Sequence, residues 1–172
     1  MNLSYNKLTK FPDKCENLNI LKELYISGNK IENIENICKL KGLEVLYLNN
    51  NNIIVLPYNI SNLKKLRCLD LSENKILYLT EEITKCKELK QLYLTNNSIK
   101  NMETICKIKN LEILYLDNNQ ITIVPNSIGL IKCKKLIELR LSNNRIETFC
   151  NNMSNKDFTK FISTLKLNIL YT

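Results

Sequence analysis

An eleven-residue pattern recurs through the chain at nearly constant spacing and leaves few folds open. In order it reads LKELYISGNKI from Leu21, LEVLYLNNNNI from Leu43, LRCLDLSENKI from Leu66, LKQLYLTNNSI from Leu89, LEILYLDNNQI from Leu111 and LIELRLSNNRI from Leu136. Successive copies start 22, 23, 23, 22 and 25 residues apart. Every copy is apolar at positions 1, 4, 6 and 11 and carries asparagine at position 9. LSYNKL, from Leu3 to Leu8, is the tail of an earlier copy in the same register. A unit this short cannot bury its apolar face alone, so neighbouring copies must stack into a solenoid.

Within the motif, positions 3 to 7 alternate, which predicts a short strand with 4 and 6 inward and 3, 5 and 7 outward. Successive strands should pair in parallel, and the outward residues should form one concave face. At position 9 the chain leaves the strand and exposes backbone donors and acceptors to an apolar interior. An amide side chain carries both donors and an acceptor, so stacked asparagines can satisfy neighbouring turns. Asn6, Asn29, Asn51, Asn74, Asn97, Asn119 and Asn144 are expected to form that ladder. Of the four consecutive asparagines at 49–52, only Asn51 is in ladder register. Asn49 and Asn50 should continue the outward face, and Asn52 should lie on the outer turn.

The segments between copies supply further apolar columns. Phe11, Ile34, Leu56, Leu79, Met102, Val124 and Phe149 form one. Cys15, Ile37, Ile60, Ile83, Ile105 and Ile128 form a second, and Leu18, Leu40, Leu63, Cys86, Ile108 and Ile131 a third.

The pattern L-x-x-L-x-L-x-x-N-x-L/I resembles the leucine-rich repeat family over residues 1–150. The resemblance implies an α/β solenoid, with a curved parallel sheet on the concave side and short helical, 3-10 or extended segments on the convex side. The 22-residue copies, containing NIENICKLKGL and NMETICKIKNL, are similar to the short repeats of the leucine-rich regulatory subunits of protein phosphatase 1. LPYNISNL and VPNSIGLI carry the broader LPxxIxxL pattern of 23-residue repeats. The expected organisation is a partial repeat over 1–20, six repeats over 21–150 and a capping segment over 151–172.

The N-terminus begins inside a repeat, as a fragment or a frayed first turn would. At the other end Ser154 and Asp157 precede an amphipathic run in which Phe158, Phe161, Ile162 and Leu165 could cover the last repeat. ISTLKLNIL then fits the motif with Leu170 where asparagine belongs, a degenerate edge strand. The family's cysteine-rich extracellular caps are absent and the N-terminal MNLSYNKLTKFP has no apolar signal-peptide core, so a cytoplasmic or nuclear location is expected. The sequons at Asn2, Asn59, Asn96 and Asn152 read as chance in an asparagine-rich chain.

Chemistry is sparse. Histidine is absent, removing the commonest metal ligand and general base, and the seven cysteines include no C-x-x-C pair. No cofactor or metal is implied, and a catalytic role would need chemistry outside this chain. Cys15 and Cys86 read as small hydrophobes, and Cys38 and Cys106 stand three repeats apart, too distant to pair. Cys68 alone is expected on the concave face, as a packed surface thiol or a reactive one.

Position 5, mid-strand and outward, reads Tyr25, Tyr47, Asp70, Tyr93, Tyr115 and Arg140. Tyrosine offers large contact area and a hydroxyl at low entropic cost, the profile of an interface hot spot, although a generic sheet surface would also carry it. Glu23 at position 3 and Asn49 and Asp117 at position 7 extend this candidate site. The concave positions carry seven acids (Glu23, Glu44, Asp70, Glu73, Glu112, Asp117, Glu138) against four bases (Lys22, Arg67, Lys90, Arg140), on a chain of net charge +8. The lysines gather before each strand instead: Lys39 and Lys41, Lys64 and Lys65, Lys85 and Lys87, Lys107 and Lys109, then Lys132, Lys134 and Lys135.

A nucleic-acid binder would place its aromatics and bases on one surface, so this separation disfavours nucleic acid and anionic membrane as partners. The expected function is a monomeric, non-enzymatic protein-interaction module with another protein on its concave face. A phosphatase regulatory subunit, the recognition part of a larger enzyme, and weak polyanion binding by the lysine rim are the alternatives.

Overall fold

The computed structural model describes residues 1–125, 135–149 and 168–170. Each complete motif copy contributes one three-residue strand, because only its central alternation can present apolar residues to a core and polar ones to solvent. These strands are β1 (Glu23–Tyr25), β2 (Val45–Tyr47), β3 (Cys68–Asp70), β4 (Gln91–Tyr93) and β5 (Ile113–Tyr115). The two-residue β6 (Ile123–Val124), then β7 (Glu138–Arg140), β8 (Thr148–Phe149) and β9 (Asn168–Leu170) follow. Seven of them form one parallel sheet in the order β1-β2-β3-β4-β5-β7-β9. The partial first copy adds a parallel bridge from Asn2 to Tyr25. On a separate edge, β6 and β8 pair in parallel.

Strand register is strict. From β1 to β7, position 3 faces position 3, 4 faces 4 and 5 faces 5. In the 22- and 23-residue copies, length variation is taken up on the convex side by 3-10 turns. The 22-residue copies carry three-residue turns, Ile37–Lys39 and Ile105–Lys107, and the 23-residue copies five-residue ones, Tyr58–Asn62 and Glu81–Lys85. The longer turns are entered from extended residues, Pro57 and Thr80, and the shorter from residues already in helical conformation, Asn36 and Thr104.

The core is one continuous cluster running the length of the described solenoid. Position 4 contributes Leu24, Leu46, Leu69, Leu92, Leu114 and Leu139, all buried. Phe11, Ile34, Leu56, Leu79, Met102 and Val124 are buried, as are Ile37, Ile60, Ile83 and Ile105. In the third column Leu40, Leu63, Cys86 and Ile108 are buried, whereas Leu18 is only partly so. Ile128, Ile131, Lys132, Lys134, Asn152, Ser154, Asp157, Phe158, Phe161, Ile162, Leu165 and the side chain of Phe149 lie outside the described residues.

The position-9 amides stitch each repeat to the one before it. Asn51 donates from Nδ2 to the carbonyls of Leu48 in its own repeat (3.0 Å) and Ile26 in the preceding one (3.1 Å). Its Oδ1 accepts from the Ile31 N–H at 2.9 Å. Asn74, Asn97, Asn119 and Asn144 repeat this three-point pattern, and Asn29 makes it with Leu3, Ile26 and Leu8. Asn29, Asn51, Asn74, Asn97 and Asn119 are buried and Asn144 half-buried. Asn6 differs: it is exposed and donates only to the Leu3 and Ser4 carbonyls of its own turn.

Position 8 imposes a second requirement that the motif alone does not reveal. Gly28, Asn50, Glu73, Asn96, Asn118 and Asn143 all have φ between 54° and 64°, and Tyr5 in the partial copy has φ 56°. The left-handed conformation costs most side chains roughly 1–2 kcal/mol, while Gly and Asn visit it readily. Asn50 is therefore placed by backbone geometry. A Cβ on Gly28 would also come within 2.5 Å of the Tyr5 ring.

Two expectations need correction. The last strand is β9, with Ile169 opposite Leu139 and Leu170 opposite Arg140, so Leu170 stands at position 5 and not in ladder register. The inward column asks only for an apolar residue, and Leu165, Leu167 and Ile169 all meet that demand in sequence. Outward position also does not guarantee exposure: Ser27, whose hydroxyl donates to Asn49, and Cys68, whose thiol meets the Tyr47 hydroxyl, are only 7% and 6% exposed.

Replacing Asn51 by Ala removes a buried amide, leaves the Ile31 N–H unpaired, and takes one of two amide donors from each of the Ile26 and Leu48 carbonyls, which Asn29 and Asn74 still reach. It is expected to cost about 1–3 kcal/mol by urea denaturation, against less than about 0.5 kcal/mol for Asn52→Ala one residue away.

Candidate protein-binding face

Because register is strict, position 5 of successive strands forms a single column: Tyr25, Tyr47, Asp70, Tyr93, Tyr115, Arg140. All six side chains are half-buried, standing out from the sheet and leaning on one another. Tyr25 and Tyr47 stack with centroids 5.2 Å apart and planes 11° from parallel. Tyr93 meets Tyr115 edge to face at 5.0 Å. The Arg140 guanidinium lies 4.0 Å from the Tyr115 ring centre, a cation–π contact.

Hydrogen bonds to position 3 fix these rings. Tyr25 donates to Glu23 Oε2 at 2.9 Å, and Tyr115 donates to Glu138 Oε1 at 2.8 Å. The same Glu138 oxygen accepts from Arg140 Nε and a terminal guanidinium nitrogen at 3.1 and 3.0 Å. The Tyr115 hydroxyl and Arg140 accordingly hold the Glu138 carboxyl below its usual range. Cys68 Sγ donates to the Tyr47 hydroxyl at 3.8 Å. Burial raises its thiol pKa, so the surface thiol expected from sequence is a covered one. Burial likewise lifts the core thiols, Cys38 to about 12 and Cys86 to about 11. All five described cysteines are buried and none forms a disulfide with another.

Asp70 interrupts the aromatic column. Its Oδ1 accepts from the Ser72 N–H at 2.9 Å, which would lower its pKa, yet burial between the flanking strands' tyrosines outweighs this and raises it. At position 7, Asp117 Oδ1 accepts from the Ser142 N–H at 3.0 Å, and Asn49 Oδ1 accepts from Ser27 Oγ. These two side chains brace the strand ends beside the column and do not belong to it. Glu23 is exposed.

The basic residues of this face are already occupied. Lys22 and Arg67 pair with Glu44 at 3.4 and 3.7 Å, Lys90 with Glu112 at 2.8 Å and Arg140 with Glu138 at 3.0 Å. Glu23, Asp70, Glu73 and Asp117 make no ion pair among the described residues. The lysine rim is broken by counter-charges, Lys85 with Glu82 at 2.7 Å and Lys107 with Glu81 at 2.6 Å. Lys39 donates to the Asp13 carbonyl at 3.1 Å, while Lys41, Lys64, Lys65, Lys109 and Lys135 are exposed.

Away from this face, Ile54, Val55, Tyr58, Leu77 and Tyr78 are exposed on two adjacent repeats. Sequence reasoning missed them. The signal was present in IIVL and ILYL, runs of four apolar residues whose two ends are buried and whose middle pairs face solvent.

Comparison with known proteins agrees with this architecture. A family model described as leucine-rich repeats matches residues 21–57 and 109–155. A leucine-rich repeat protein of Leptospira interrogans superposes with a TM-score of 0.84 at 33% identity, covering 99% of this chain and 42% of that one. An internalin of Listeria monocytogenes shares the fold, with a TM-score of 0.75 at 23% identity over 95% of this chain and 46% of its own. A stretch of 59 residues is 41% identical to part of adenylate cyclase from Schizosaccharomyces pombe, 33% of this chain and 4% of that protein. This chain thus spans less than half the length of each. It belongs to the leucine-rich repeat family, whose members are typically protein-interaction modules. Among the described residues no helix is long and apolar enough to cross a membrane.

Two outcomes follow from the burial of charge and thiol. Raising the folded-state pKa of Asp70 above its unfolded value makes its ionisation a cost to stability at neutral pH. The cost fades as the pH falls through that raised pKa, once both states are protonated. Asp70→Asn, which keeps an acceptor for Ser72, should therefore raise the melting temperature at pH 7 and lose its advantage in acid. Iodoacetamide followed by peptide mapping should leave Cys68 unmodified in native buffer and label it fully in urea.

Proposed function

We propose that this chain is a non-enzymatic interaction module that holds another protein against its concave face. The supporting observation is the position-5 column, where four tyrosines from four strands are packed in pairs, with Tyr25 held by Glu23 and Tyr115 by Glu138. Rings fixed in this way lose little freedom on binding, and tyrosine is enriched among residues that dominate interface energies. Tyr25, Tyr47, Asp70, Tyr93, Tyr115 and Arg140 are the proposed contacts, with Glu23, Asn49 and Asp117 at the margin.

A second reading makes the chain the recognition part of a larger enzyme. The match to a small part of an adenylate cyclase favours it, because there too the similar segment is a fraction of a long protein. A phosphatase regulatory subunit would be a special case, resting on the 22-residue copies alone. Both readings keep the concave face as the contact surface.

Affinity capture with wild type and a Tyr47→Ala/Tyr93→Ala variant tests the common element. The variant should lose its specific partners, with affinity down about tenfold or more. Neutralising Lys64, Lys65, Lys85 and Lys87 should leave them in place. The reverse pattern would overturn the concave-face reading in favour of the lysine rim.

A further inference from the structure

We propose that Tyr47, Asp70 and Tyr93 form a slot for one cationic side chain, a lysine or arginine carried on an extended basic segment of another protein. This rests on the concave-face reading above and adds the chemistry of what is bound.

Register fixes the geometry of the slot. Asp70 stands directly between Tyr47 and Tyr93 on adjacent strands. Two strand spacings separate the tyrosine positions by roughly 9.6 Å. A flat or linear group packed at about 3.5–4 Å from a ring on each side occupies most of that width. Each tyrosine packs on its outer neighbour, Tyr47 on Tyr25 and Tyr93 on Tyr115, and no ring pair spans Asp70 among the described residues. The shorter aspartate therefore stands between two aromatic side chains, with Tyr47 leaning towards its strand and its hydroxyl 3.8 Å from Cys68 Sγ.

Charge decides what fits. Asp70 takes the Ser72 N–H at Oδ1 and a further hydrogen bond from the Ser72 side chain, and no basic side chain among the described residues pairs with the carboxylate. The four bases of this face are held by Glu44, Glu112 and Glu138. A carboxylate half-buried between rings, with its pKa raised by that burial, is relieved by a cation arriving from outside. Anionic or purely apolar occupants would add to the cost. Glu23, Glu73 and Asp117, also without ion pairs among the described residues, favour further basic residues on the same segment.

The chain carries its own example of this recognition. In β5 and β7 the Arg140 guanidinium lies 4.0 Å over Tyr115 and bonds to Glu138. Cation, ring and carboxylate are all supplied internally there. At Asp70 the rings and the carboxylate are supplied and the cation is left to the partner.

A random extended-peptide library displayed on phage and selected on the wild-type chain tests this directly. Selected peptides should share a lysine or arginine at one position. Changing that residue to norleucine or citrulline should weaken binding to wild type about tenfold or more and leave binding to Asp70→Asn almost unchanged. Peptides that need Tyr47 and Tyr93 but carry no basic residue, or ignore Asp70→Asn, would overturn the slot and leave the concave face standing. A selection yielding no peptide sensitive to Tyr47→Ala/Tyr93→Ala would overturn both.

Discussion

The fold depends on one side-chain amide placed at the end of each strand. Its Nδ2 reaches carbonyls in two successive repeats and its Oδ1 takes an N–H from the earlier one, as Asn51 does with Leu48, Ile26 and Ile31. Those groups face a core of leucine and isoleucine, where an unpaired donor or acceptor is expensive. The asparagine amide offers two donors and an acceptor at this point, where the hydroxyl of the similarly sized threonine has a single donor. Because the amide bonds backward along the chain, it sets the spacing between repeats as well as satisfying the turn, and the strand register follows. The apolar columns supply most of the burial, and the ladder decides which stacking is allowed.

With spacing fixed, the outward positions become columns whose contents are independent of the scaffold. Position 5 collects aromatics, an aspartate and an arginine within one line, and position 3 collects the carboxylates that hold Tyr25 and Tyr115. The lysines, displaced to the rim, are partly neutralised by Glu81 and Glu82. A strongly basic chain thus presents a surface whose bases are spoken for and whose remaining charge is acidic. Net charge alone would not have shown this separation of acids from bases.

Much of this was legible before any coordinates, for physical reasons that differ between residues. The inward leucines and Asn51 are dictated by period and by the chemistry of a buried turn, so counting positions was enough. The position-5 column followed from the same count. Contacts that depend on neighbours were not legible. Cys68 counts as outward, yet it is buried, with its thiol against the Tyr47 hydroxyl. Asn50 passes for a surface amide, whereas its φ of 56° accounts for it. The register of Leu170 was misassigned because several apolar residues near it satisfy the inward column equally well. Exposure of Ile54 and Leu77 required knowing where the chain turns after position 11.

The strict register has a consequence for how such a surface can change. Every row presents its position-5 side chain at the same height and on the same backbone. Exchanging one residue there alters a single step of the column without disturbing a rung of the ladder. Whole rows can be inserted or removed with the same economy, since each amide joins its row to the neighbour by the same two bonds. The face behaves like movable type: the frame is locked by asparagine, and specificity is composed one character at a time.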